Sequence, residues 1–141
     1  MSTTGFESFD TAVQKADLWL KELSRELGAD SKKQAYSALR AVLHTLRDRL
    51  NVDEAADLGA QLPMLIRGVY YDEWNPSKMP VKDRHLDDFL NHIRENYSGS
   101  PQTQPEVIAK AVFKLLRSKV TEGEIKDIKS MMPKQLLELW T

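Results

Sequence analysis

Residues 17–70 can be laid over residues 87–140 without a gap, and this 70-residue offset constrains the fold more than any single motif does. It pairs Asp17 with Asp87, Leu20 with Leu90, Gln34 with Gln104, Ala41 with Ala111, Val42 with Val112, Leu46 with Leu116, Arg47 with Arg117, Glu54 with Glu124, Asp57 with Asp127 and Pro63 with Pro133. Ten identities in 54 pairs is about three times chance for average composition. The weight therefore falls on apolar positions that keep register without being identical. Trp19/Phe89, Leu23/Ile93, Leu43/Phe113, Leu50/Val120, Leu58/Ile128, Leu62/Met132, Ile66/Leu136 and Tyr70/Trp140 do so. Two copies of one unit bury the same face twice, and such a period has to be found before any motif is weighed.

Within each copy the apolar spacing is helical. Ala16, Trp19, Leu20, Leu23 and Leu27 fall on one stripe that Gly28 ends, and Phe6, Phe9 and Val13 lead into it, so the first helix begins well before Ala16. Ser31 with Gln34 predicts a capping box for a second helix whose core face is Leu39, Val42, Leu43, Leu46 and Leu50. The second copy predicts Thr103 with Glu106 as the box and Ala109, Val112, Phe113, Leu116 and Val120 as the stripe. Asn51 with Glu54, and Thr121 with Glu124, open a third helix in each copy. Pro63 and Pro133 suit the first turn of a short fourth helix, where a missing N–H costs nothing. Tyr71 to about Lys82, with Asn75-Pro76 and Met79-Pro80, reads as a linker that is extended in part. The expected fold is all-α: a tandem duplication of about four helices per copy, forming one compact bundle. Its divisions are a first repeat over 1–70 with an N-terminal extension, a linker over 71–82 and a second repeat over 83–141.

Bulk properties narrow the function classes. At 141 residues the chain is long enough for one core or two small fused ones. Lys plus Arg number 20 against 21 Asp plus Glu, so no net field draws nucleic acid or an anionic membrane. The absence of cysteine excludes disulfides, thiol catalysis and thiolate metal sites. No apolar run reaches the roughly 20 residues of a membrane helix, and the stretch Met1–Phe6 has no leader pattern. A cytoplasmic location and no membrane partner are expected.

Three constellations carry possible chemistry. His85, Asp88, His92 and Glu95 fall at i, i+3, i+7 and i+10, placing imidazole and carboxylate donors for zinc or iron along one side of a helix. Against this, i and i+7 side chains stand about 10 Å apart, and the plainer reading is a solvated polar face near a helix start. Arg40, His44 and Arg47 form a basic stripe at i, i+4 and i+7, matched by Lys110, Lys114 and Arg117. Such stripes suit phosphates of a nucleic acid or an acidic partner. The favoured reading is that Arg47 and Arg117 pair with Asp57 and Asp127 of the next helix, because all four residues keep the offset. Third, Tyr70, Tyr71 and Trp74 are three large aromatics at the start of a linker. They are expected to be buried by docking the linker between the copies, with an interface anchor as the alternative. No nucleophile elbow, Gly-rich phosphate loop or Walker-type motif is present, and no cofactor is expected.

The run Ala38-Leu39-Arg40-Ala41-Val42-Leu43-His44-Thr45-Leu46-Arg47-Asp48-Arg49-Leu50, followed by Glu54-Ala55-Ala56-Asp57-Leu58, Ala60 through Tyr71 and Trp74-x-Pro76, resembles a bacterial family of uncharacterised proteins, domain of unknown function twenty-two sixty-seven. Gly123-Glu124-Ile125 and Met132-Pro133 through Leu139-Trp140 resemble that family's usual ending. The resemblance covers roughly residues 10–141 and implies an all-helical, soluble, intracellular protein with two related halves and no assigned catalytic residue. Together with the missing enzyme motifs, it favours a non-catalytic interaction or oligomerisation module, with a homo-oligomer or another protein as partner and nucleic acid disfavoured. A metal protein or enzyme built on His85 and His92, and an anion binder built on the basic stripes, are the alternatives.

Overall fold

A computed structural model describes residues 4–29 and 31–141. They form seven α-helices: α1 (Glu7–Leu27), α2 (Lys32–Arg47), α3 (Val52–Ala60), α4 (Met64–Tyr71), α5 (Leu86–Asn96), α6 (Pro105–Lys119) and α7 (Glu122–Met131). Two 3-10 segments, Pro76–Lys78 and Lys134–Trp140, complete the order, and the described residues contain no strand. None of these helices is long and apolar enough to cross a membrane.

Local chemistry explains most boundaries. Gly28 takes the left-handed conformation (φ 64°) that closes α1, its N–H donating to Arg25 O while Ala29 N donates to Ser24 O. That pair of bonds is a Schellman ending, and glycine meets its backbone demand at no steric cost. Ser31 Oγ accepts from Gln34 N at the start of α2. Asn51 Oδ1 and Thr121 Oγ1 do the same for Glu54 N (2.8 Å) and Glu124 N (3.2 Å) at the starts of α3 and α7.

Three expectations are corrected. α6 does not start from a Thr103–Glu106 box: Pro105 occupies its first turn behind Gln104, whose side chain makes no cap bond. Proline's fixed φ starts the helix there, and Thr103 N instead closes a turn onto Ser100 O. Pro63 and Pro133 sit one step earlier than expected, as extended residues just outside α4 and the last 3-10 segment. The fourth helix of the second half is 3-10 rather than α. With three residues per turn, Leu136 and Leu139 eclipse on one edge. Both are buried there, and Trp140 lies stacked on Phe113 at 4.0 Å and 8°.

The core is single. α2 packs against α1, α4, α5 and α6, while α6 packs against α1, α2, α5, α7 and the 3-10 segment Lys134–Trp140. Leu39, Val42, Leu43, Leu46 and Leu50 of the first stripe merge with Ala109, Val112, Phe113, Leu116 and Val120 of the second in one buried cluster. Trp19, Leu23, Phe89, Ile93, Leu58, Ile128, Ile66, Leu136, Tyr70 and Trp140 join it. Polar contacts also cross the sequence midpoint. Gln61 Oε1 accepts from Thr121 N (2.9 Å), so the end of α3 caps the start of α7. Arg49 grips Asp83 through two nitrogens (2.9 and 2.7 Å) and lies 5.4 Å from the Phe89 ring centroid.

Candidate functional site

The basic stripe of α2 is turned inward, onto the end of α4. Arg47 is only 2% exposed; its Nη1 donates to Tyr70 O (2.6 Å) and Asp72 O (3.0 Å), and its Nε to Asp48 Oδ1 (2.8 Å). His44 Nε2 and the carbonyl of Val69 meet at 2.7 Å, with the nitrogen donating. Arg40 bonds the exposed carboxylates of Asp72 (3.1 Å) and Glu73 (3.3 Å). The last turn of a helix leaves its carbonyls without partners, and here Arg47 and His44 satisfy those of Val69, Tyr70 and Asp72 while Arg40 holds the carboxylates just beyond. Burial pushes the His44 imidazole below its ordinary value, with Arg47 and Arg40 acting in the same direction and the Val69 bond opposing them. The expected Arg47–Asp57 pair is therefore not made. The carbonyls of Tyr70 and Asp72, invisible in a residue pattern, take the guanidinium instead.

The matching residues of α6 face outward. Lys110 pairs with Glu106 one turn earlier (3.3 Å), and Lys114 with Glu26 of α1 (2.7 Å). Arg117 is exposed and lines a cavity of about 300 Å³ with Glu122, Ile125, Lys126 and Lys129; it makes no ion pair with Asp127. The two stripes share a spacing and not an environment.

Aromatic residues at the head of the linker are drawn inward to different depths. Tyr70 is fully buried, its hydroxyl donating to Ala55 O (2.6 Å), and burial raises its phenol above the ordinary range. Tyr71 is the last residue of α4 and stands edge-on to Tyr70 and tilted against Trp74. Its ring covers Gly59 so closely that any Cβ there would overlap it. Trp74 is half-buried and points its Nε1 at Met79 Sδ (2.6 Å).

Of the histidine set, His85 is the extended residue before α5 and His92 is half-exposed on it, 3.6 Å from the Asp83 carboxylate that Arg49 already holds. His85, Asp88, His92 and Glu95 do not converge as a set of three ligand atoms among the described residues. His92 does meet the α2 stripe, in a cavity of about 210 Å³ that also holds His44, Arg47 and Arg49. Both arginines there are already bonded to Asp48 and Asp83, so the cavity has little positive charge to offer an anion.

The arrangement that sequence reasoning missed lies between α3 and α7. Glu54 and Glu124, read as the reciprocal halves of capping boxes, leave that role. Both are only 6% exposed, and their carboxyl groups lie within hydrogen-bonding reach of each other. Glu54 Oε2 and Glu124 Oε2 are buried with no donor to either. One oxygen each from Glu54, Asp57 and Glu124 lie within 4.8 Å of one another, with Asp57 at the exposed side. Burial, the contact with Glu54, and the nearby charges of Glu54, Asp57 and Asp127 push the Glu124 carboxyl up to about 8. Two carboxylates this close cannot both ionise cheaply, which is why the Glu124 carboxyl holds its proton above the ordinary carboxylate range. The available signal was that both glutamates, and the aspartates three residues on, keep the 70-residue offset.

No curated protein matches the chain. A family model described as an uncharacterized conserved protein (DUF2267) matches residues 16–139, a span that takes in both glutamates, both stripes and the aromatic segment. The chain belongs to that family.

Proposed function

We propose that the chain is a non-catalytic helical module of the bacterial cytoplasm that acts by protein contact, first with a second copy of itself. The observation that carries this reading is an exposed aromatic pair at the start of α1. Phe6, the extended residue before α1, and Phe9, on its first turn, are 56% and 54% exposed and packed edge to face at 5.1 Å. Paired aromatics left in water are the usual makings of an interface anchor. A second α1 laid antiparallel brings the acidic first turn, with Glu7, toward the exposed Lys15, so the charge pattern favours a twofold self-contact.

The interior use of Tyr70 and Arg47 moves the expected contact surface away from the linker and onto α1. The halves are read as a tandem duplication over 1–70 and 83–141 joined by the segment 71–82. That reading is supported by buried residues at the 70-residue offset, such as Trp19/Phe89, Leu43/Phe113 and Tyr70/Trp140, and by the paired caps of α3 and α7. Analytical centrifugation at micromolar concentration tests the contact: wild type sediments as a dimer, and Phe6→Ser/Phe9→Ser shifts it to monomer with the melting temperature retained. A wild type that stays monomeric through that range overturns the reading.

A further inference from the structure

Buried carboxylates require a proton, a cationic side chain or a metal ion. At the α3–α7 contact no donor reaches Glu54 Oε2 or Glu124 Oε2, and the Tyr70 hydroxyl at this end of the core is committed to Ala55 O. Both orphan atoms belong to side chains that are more than nine-tenths buried, which sets this cluster apart from surface acidic patches. The spacing also fits an ion. Oxygens 2.3–2.6 Å from a calcium-sized centre stand at most about 5 Å apart, and the three donor oxygens here lie within 4.8 Å of one another. Exposed Asp57 gives a route in and leaves one side for water ligands.

We propose that Glu54, Asp57 and Glu124 form a divalent-cation site that ties α3 to α7. The donor set is all carboxylate, with neither imidazole nor thiolate, so it takes hard ions of the Ca²⁺ or Mn²⁺ type over Zn²⁺. Occupancy joins the two halves of the sequence at a point where the empty cluster holds like charges together. It is independent of self-association through α1.

Calorimetric titration of chelator-treated protein with CaCl₂, MnCl₂ and ZnCl₂ tests the site. The expected result is one ion per chain for Ca²⁺ or Mn²⁺, with Kd on the order of 10⁻⁴ M for a site with three protein ligands. The melting temperature should rise by several degrees at about 10 mM of the ion. Glu54→Gln/Glu124→Gln should lose at least about tenfold in affinity. That variant keeps the shape of the cluster and removes its repulsion, and circular dichroism checks that it folds. Exposed Asp57→Asn should weaken binding without touching the buried pair, while Asp53→Asn, outside the cluster, leaves it unchanged. No heat and no melting shift with either hard ion, or equal binding by the double glutamine variant, overturns the proposal.

Discussion

Arg47 and Arg117 stand 70 residues apart at the same place in two similar stripes, and the structure gives them opposite lives. Arg47 is buried, holding the carbonyls of Tyr70 and Asp72 at the end of α4. Arg117 faces an open cavity beside Lys126 and Lys129. The same contrast runs along both helices: His44 bonds a backbone carbonyl, whereas Lys114 makes an exposed ion pair. What separates the two is the piece of backbone laid over each stripe. A basic residue becomes structural when a helix end is brought to it, and stays a surface charge otherwise.

The largest test of that contrast is Arg47→Ala against Arg117→Ala. Removing the buried guanidinium takes a donor from two carbonyls and should lower stability by about 3 kcal/mol, while the exposed partner changes it by less than about 0.5 kcal/mol. Urea midpoints read both, and equal losses would break the comparison. Next is Gly59→Ala against Lys129→Ala, the matching position. A methyl at Gly59 drives into the Tyr71 ring and should cost about 1–3 kcal/mol despite the roughly 1 kcal/mol that alanine adds to a helix. The Lys129 change should be near neutral.

The third test sets the carboxyl pair against His44 through pH. Glu124 titrates at about 8 in the folded protein against an ordinary 4.5, so in that interval the folded state holds more protons than the unfolded chain. Stability therefore falls as pH rises through the window, by up to about 1.4 kcal/mol per unit. Glu124→Gln should remove the slope. His44 has the opposite sign: its depressed value gives stability that is present above 6.5 and is lost as pH falls through the folded value. A chemical-denaturation series across both ranges, on wild type and Glu124→Gln, separates them. Smallest of all, Lys114→Ala should cost under about 0.5 kcal/mol, and that cost should vanish in high salt.

The core stripes were legible because Leu39 through Leu50 and Ala109 through Val120 follow a 3.6-residue period that depends on local geometry alone. The starts of α3 and α7 were legible for the same reason: a cap and the N–H it serves lie within four residues. Arg47's destination was not, since its partners are main-chain atoms 23 and 25 residues away with no side-chain signature. Nor was the Glu54–Glu124 contact, because a Glu at the third position of a helix reads as a cap whether or not a second helix approaches. At α6 a competing rule decided the boundary, with Pro105 overriding Thr103.

The shared core also bears on where the chain can be severed. Asn75 to Lys78 is exposed, and the contacts that join the halves lie elsewhere, in α2 against α5 and α6 and in Gln61 against Thr121. A break there leaves two fragments, each bare over the face that the other covers. Neither has a closed interior of its own, because the apolar stripes of α2 and α6 meet in one buried cluster. The covalent link between them raises their effective concentration and fixes a one-to-one ratio, while the shape of the whole is specified by the surfaces the fragments exchange.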